Sequence, residues 1–190
     1  YDAVIWILGE ESTANDTFNA TEQTKVSTYL AAGGKLFVSG AEIGFNLDAS
    51  GGGAAFFNNT LKADYVADDA ANYSVVAAAG SIFTGLSFSF DNGAQFYNVD
   101  TPDRINPLGG ATAALNDSSG AGAAGIQHTD AGTGAQVIVF GFPFETITTA
   151  ANRAAVMGRV IDYFQLSELP TEIEVVLDND DGPSVYTETG

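Results

Sequence analysis

The stretch Gly33-Gly34-Lys35-Leu36-Phe37-Val38-Ser39-Gly40-Ala41-Glu42 constrains the fold more than any other part of this chain. The Gly-Gly pair closes a helix and turns the chain. Leu36-Phe37-Val38 reads as a short apolar strand, and Ser39-Gly40-Ala41 as a tight turn where a helix can begin. In open α/β folds, reactive residues sit at such strand-to-helix turns, outside the carboxyl end of a strand. The stretch therefore predicts both a sheet and the place where chemistry would be found.

The neighbouring segments extend the sheet. Residues 3–9 read as a strand buried on both faces, and Glu10 to Phe18 as a polar loop. A helix is predicted from about Ala20 to Ala32, with Thr21 and Asn19 competing as N-cap. With residues 35–39 as the next strand, this order predicts a parallel pair joined by a right-handed crossover. Ala54 to Leu61 reads as a short helix after Gly51-Gly52-Gly53. From Tyr73 to His128 the pattern changes to short strands: Val75-Val76, Leu86 to Phe90, Gln95 to Val99, Ala111 to Leu115 and Gly125 to His128. Asp91-Asn92-Gly93 is a hairpin signal. Gln136 to Gly141 reads as a fully buried strand. Ala150 to Leu166 reads as a helix with a stripe of Ala154, Val156, Met157, Val160, Ile161 and Phe164. A composition break at Ser167-Glu168-Leu169-Pro170 precedes a further strand over 171–177 and an acidic turn. The expected architecture is a three-layer α/β domain with a mainly parallel sheet over residues 1–167. Residues 168–190 would supply a linker and the first strands of a β-rich domain.

Charge narrows the partners. There are 24 acidic residues against six basic, a net charge of −18. Such a surface repels phosphate backbones and anionic lipid, so neither nucleic acid nor membrane insertion is expected. The absence of Cys removes thiol catalysis, disulfides and thiolate metal sites, and the single His128 excludes a multi-His metal site within one chain. The chain opens on Tyr1-Asp2-Ala3-Val4 as a strand already under way, and is read as an internal fragment. Asn-x-Ser/Thr sequons begin at Asn15, Asn19, Asn58, Asn72 and Asn116; they matter only in a host that glycosylates exported proteins.

With these elements placed, the first 166 residues resemble the class I glutamine amidotransferase-like fold, a flavodoxin-like α/β domain. Gly33 to Gly40 is similar to that family's strand and nucleophile elbow. Phe140-Gly141-Phe142-Pro143-Phe144-Glu145 is similar to the late strand and turn that carry its His and Glu. Leu36 to Gly44 and Gly141 to Glu145 look most like non-catalytic versions in large secreted bacterial proteins, which accompany peptidase, amidase or carbohydrate-binding modules. Val176 to Gly182 with Tyr186 to Gly190 resembles the first strands of a golvesin or xanthan-lyase type β domain. Two departures bear on function. Ser39, Gly40 or Ala41 stands where the family has Cys, and Pro143-Phe144 stands where it has the base; Glu145 remains.

The resemblance thus implies a non-catalytic structural or interaction module of a secreted or cell-surface multidomain protein, acting in scaffolding, domain docking, or glycan or peptide binding. The first alternative is a serine-dependent hydrolase or amidase using Ser39 with Glu42, Glu145 or His128, since an elbow Ser needs a base. The second is a self-assembling filament or surface-layer subunit, with residues 171–190 pairing across chains. The expected crevice is formed by Ser39, Gly40, Glu42, Arg104 and Glu145. Glu42 and Glu145 would do acid/base work or hold a cation, or else bond backbone N–H groups at helix starts. Arg104 would pair with an acid or bind a substrate carboxylate. Asp178, Asp180 and Asp181 are the candidates for Ca2+, although no downstream Glu stands at EF-hand spacing; otherwise they form a solvated turn. No other cofactor is expected. Partners would be other domains of the same polypeptide or identical chains.

Overall fold

The computed structural model describes residues 1–91 and 97–166 in full, with the backbone of Ile173–Leu177 and Ser184–Glu188. In chain order the elements are β1 (Val4–Gly9), α1 (Ala20–Ala31), β2 (Lys35–Gly40), α2 (Ala54–Asn59), β3 (Ala63–Ala67), β4 (Ser74–Ala77), β5 (Ser87–Ser89), β6 (Arg104–Pro107), β7 (Thr112–Asp117), β8 (Ala123–Thr129), β9 (Gln136–Phe140), α3 (Ala150–Tyr163), β10 (Ile173–Leu177) and β11 (Ser184–Glu188). A π-helical turn at Phe45–Ala49 and a 3-10 turn at Phe144–Thr146 follow the ends of β2 and β9.

One curled sheet holds all eleven strands. Nine form a continuous ladder, β11-β10-β1-β2-β9-β8-β7-β4-β5, and β6 joins β3 to β8. Only β10–β1, β1–β2 and β2–β9 pair in parallel. The remaining seven pairings, from β10–β11 to β4–β5, are antiparallel. The expected three-layer, mainly parallel, flavodoxin-like or glutamine amidotransferase-like domain is therefore corrected to a mostly antiparallel mixed sheet. The reason is the connections. A parallel neighbour needs a crossover of a dozen or more residues, usually a helix. From β6 to β9 the strands follow one another through short connections without a helix. The segment expected to be an excursion from the sheet is its larger part, since β8 bonds β9 directly from Gly125↔Phe140 to Thr129↔Gln136. The segment expected to open a golvesin-like domain instead lies in this same sheet, with β10 parallel to β1 through Ile5↔Val175, Trp6↔Val176 and Ile7↔Leu177.

Local chemistry explains the helices. The N-cap of α1 is Asn19, not Thr21. Its side-chain oxygen accepts from the N–H groups of Thr21 and Glu22 at 2.9 and 3.1 Å, and Glu22 reaches back to the Asn19 N–H at 2.7 Å. This reciprocal pair is a capping box. The helix stops where Gly33 takes φ +89, a left-handed conformation that a side chain disfavours. At α3, Thr149 accepts from the Asn152 N–H at 3.1 Å.

Strand β2 sits centrally and is covered on both sides. Leu36 and Val38 belong to a core with Leu8, Phe18, Val26 and Leu30, so α1 packs there. Phe37 belongs to a second core with Phe140, Phe142, Val156, Val160 and Phe164, where α3 packs. The alternation is the period-two geometry of a strand. All five residues of β9 are buried, as expected. In β1, expected to be buried on both faces, only Leu8 is fully buried; this strand lies nearer the end of the ladder, where cover thins. Strands β3 and β6 had no sequence signal. Each is short and partly polar, and they pair with one another. The Asn92-Gly93 hairpin signal lies outside the described residues.

Candidate functional site

The carboxyl ends of β1, β2 and β9 lie side by side, and the chain turns after each gather there. The Ala41 N–H donates to the Gly9 carbonyl at 2.8 Å, and the Asp103 N–H to the Ala41 carbonyl at 2.8 Å. Gly141 allows the Asp103 backbone to pass, because a Cβ there would stand 2.5 Å from the Asp103 carbonyl oxygen.

Ser39 is inside this junction, not on it. It is fully buried, the last residue but one of β2. Its Oγ donates to the Phe142 carbonyl at 3.0 Å and accepts from the Phe144 N–H at 2.6 Å. The hydroxyl thus ties β2 to the turn after β9. Neither Ser39, Gly40 nor Ala41 adopts positive φ, so the strained turn that exposes a nucleophile in an elbow is not formed here. Gly40 packs against Leu8 and Ile43, where a Cβ would stand 3.0 and 3.1 Å from their side chains.

Glu42 and Glu145 both lie beyond the strand ends, each held by hydroxyls. Glu42 accepts from Ser12 through one carboxylate oxygen and from Thr101 through the other. Glu145 accepts from the Tyr97 hydroxyl at 2.5 Å, beside Gly9, while its other oxygen is buried and unbonded. Burial pushes the Glu145 carboxyl up, against the opposing bond from Tyr97. Burial and the Glu145 charge push the Tyr97 phenol up strongly, so it stays a donor.

Asp103 does what was expected of Glu42. Its Oδ2 accepts from the N–H groups of Gly44 and Phe45 at 2.6 and 3.2 Å, where the turn after β2 begins. It is 1% exposed, and its Oδ1 has no partner. Burial pushes its carboxyl well up, with the charges of Glu42 and Asp68 adding to the effect. Burial likewise raises Glu10 and Asp68, helped by neighbouring carboxylates. Sequence reading missed Asp103. Its signal was its place in Asp100-Thr101-Pro102-Asp103-Arg104, where the arginine drew the attention.

Arg104 stands apart from the crevice. It lies 3.8 Å from Asp117 and donates to the Ala70 carbonyl at 3.0 Å. Burial works against ionisation of Asp117, but bonds from Ser119 and Asn72 and the Arg104 charge bring its carboxyl below the ordinary value. His128 stands apart as well. It pairs with Val137 near the amino end of β9, whereas Ser39 pairs with Phe140 at the carboxyl end. Three residues of strand separate them by ~10 Å. Ser39, Glu145 and His128 are not brought together as a triad. Among the described residues no group of three or more His, Cys, Asp or Glu side chains is placed to hold a metal ion. Asp178, Asp180 and Asp181 lie outside the described residues.

No family model and no curated protein matches the chain. Some solved structures are similar to it at low identity. A cold-adapted β-galactosidase from Rahnella sp. R3 is 16% identical with a TM-score of 0.52, over 93% of this chain and 25% of that one. The exo-β-1,4-mannosidase Op5Man5 from Opitutaceae bacterium strain TAV5 is 17% identical with a TM-score of 0.47, over 82% of this chain and 24% of that one. The N-terminal domain of mmIFT52 is 15% identical with a TM-score of 0.46, over 80% of this chain and 74% of that one. The likeness is one of fold. This chain spans about a quarter of each glycosidase chain.

Proposed function

We propose that this domain is a non-catalytic structural or interaction module of a secreted or cell-surface multidomain protein, working by contact with other domains of its polypeptide, with identical chains, or with a glycan or peptide. The observation that supports the reading is the state of Ser39. Both bonding directions of its Oγ are taken by backbone groups, and the side chain is buried. A nucleophile needs a base in hydrogen-bond reach and a face open to substrate, and Ser39 has neither. The strongly acidic surface suits an exported, soluble module. No organic cofactor is proposed; the only metal candidate is calcium at Asp178, Asp180 and Asp181, which a calcium titration at matched ionic strength tests.

A serine-directed fluorophosphonate probe tests this reading. The folded protein is expected to stay unlabelled. Stoichiometric labelling that Ser39→Ala abolishes would overturn the reading in favour of a hydrolase. Ser39→Ala should instead act on stability. It leaves the Phe144 N–H and Phe142 carbonyl without their buried partner, a loss of about 1–3 kcal/mol in chemical denaturation.

A further inference from the structure

At the far end of the sheet from Ser39, a cleft of about 220 Å³ opens between α1, the end of α2 and the β8–β9 hairpin. Its polar lining includes Ser27, Thr60, Lys62, His128 and Asp130, and Leu30 and Val137 form part of an apolar wall. The cleft brings together the single histidine of the chain and one of its six cationic side chains. Neither is used by the fold. The Lys62 ammonium has no hydrogen-bond or ion-pair partner among the described residues, and both His128 ring nitrogens are shielded from water without a partner. Buried polar groups are ordinarily bonded, so the histidine asks for a ligand.

The backbone fixes both side chains. Lys62 holds φ +64, and its carbonyl accepts from the Leu108 N–H at 2.9 Å. The Gly109-Gly110 turn, with φ of +54 and +88, lies against them. A Cβ on Gly109 would sit 3.5 Å from Lys62 Nζ, and one on Gly110 would sit 3.6 Å from His128 Cε1. Asp130, two residues on from His128, also lines the cleft, and its Oδ1 is taken by the N–H groups of Gly132 and Thr133 and the Thr133 hydroxyl. Those bonds hold the carboxyl below its ordinary value, and its second oxygen makes none of them.

We propose that this cleft binds a small hydroxylated carboxylate of about the size of one sugar acid. The ligand carboxylate meets Lys62 and a nitrogen of His128, turned inward by rotation about χ2, which is a broad torsion in histidine. Ligand hydroxyls meet Asp130 Oδ2 and Thr60, and the apolar edge of a ring lies on Leu30 and Val137. The volume is below that of ordinary drug-sized sites and fits one such ring. A lining that holds both a cation and an anion selects a molecule that carries both an acid and donors; a purely anionic ligand would meet the repulsion of Asp130. This inference does not depend on whether Ser39 reacts.

Because the chain has one histidine, its ring resonances give an unambiguous readout. Titration of the full 190-residue chain with D-glucuronate at fixed pH should move the His128 ring signals saturably. Methyl glucoside, acetate and inorganic phosphate, each to about 20 mM, should move them far less. Lys62→Asn, chosen because Asn tolerates the left-handed backbone, should weaken glucuronate binding about tenfold or more through the lost charge-assisted bond. Lys62→Gln serves the same purpose where Lys62→Asn does not fold. The proposal is overturned by the absence of saturable movement with glucuronate. It is equally overturned if methyl glucoside, acetate or phosphate binds as well, or if the Lys62 variants bind unchanged.

Discussion

Asp103 is where burial and charge conflict most directly. Its carboxyl is pushed well up by burial while two backbone N–H groups favour its ionised form. The sign of the resulting pH dependence follows from linkage. In the folded state the group binds its proton more tightly than in the unfolded chain. Its contribution to stability is therefore greatest below the unfolded carboxyl range, about pH 4, and is lost as pH rises toward the folded value. Asp103→Asn keeps the shape and the acceptor for Gly44 and Phe45 while removing the ionisation. Urea denaturation across this range should show Asp103→Asn gaining stability over the parent as pH rises, with the gain vanishing near about pH 4. An identical slope in both proteins would show that Asp103 is not the responsible group. The same residue marks the limit of sequence reading for the site. Glu42 and Glu145 were found because each follows an apolar strand. Asp103 follows no such run and becomes buried only because Gly141 and the turn after β2 close over it. Ser39 was singled out for its place at the end of β2, but nothing in Val38-Ser39-Gly40 shows that the turn after β9 takes both bonding directions of its hydroxyl.

At the scale of elements, α1 shows local chemistry deciding a boundary. Asn19 and Glu22 satisfy each other's backbone donors, and the helix packs only Val26 and Leu30 fully into the core. Asn19→Ala should lower unfolding stability by about 1 kcal/mol, while Thr21→Ala should change it much less. Equal losses in the two variants would refute the assignment of the cap. Elements with a strong periodic or apolar signal were legible: α1, α3, β2 and β9 stand within a few residues of where the sequence placed them. Strands β3 and β6 were not, because each reads as a loop until the other lies beside it. Nor was the sense of pairing. A strand carries its apolar pattern equally well in a parallel or an antiparallel ladder, and it is the connection that chooses. The short connections between β6 and β9 were the available signal.

At the scale of the whole molecule, a charge of −18 sets the response to salt. Carboxylates near Glu10, Asp68 and Asp103 already raise one another. The melting temperature should therefore rise between about 0.02 and 0.5 M NaCl as screening shortens these repulsions. A fall, or no change, would mean that attractive pairs outweigh them. The position of β1 has a consequence in time. One side of this strand meets β2 after a single helix, but its other side waits for β10, where Ile5 pairs with Val175. On a ribosome, β1 would keep an open flank until the much later β10 had been synthesised. Contacts so distant along the chain form slowly, and an unpaired strand edge invites other chains. A nascent chain is thus exposed along the β10-facing flank of β1 through all of that interval, and a holdase that caps this flank would protect it until β10 arrives.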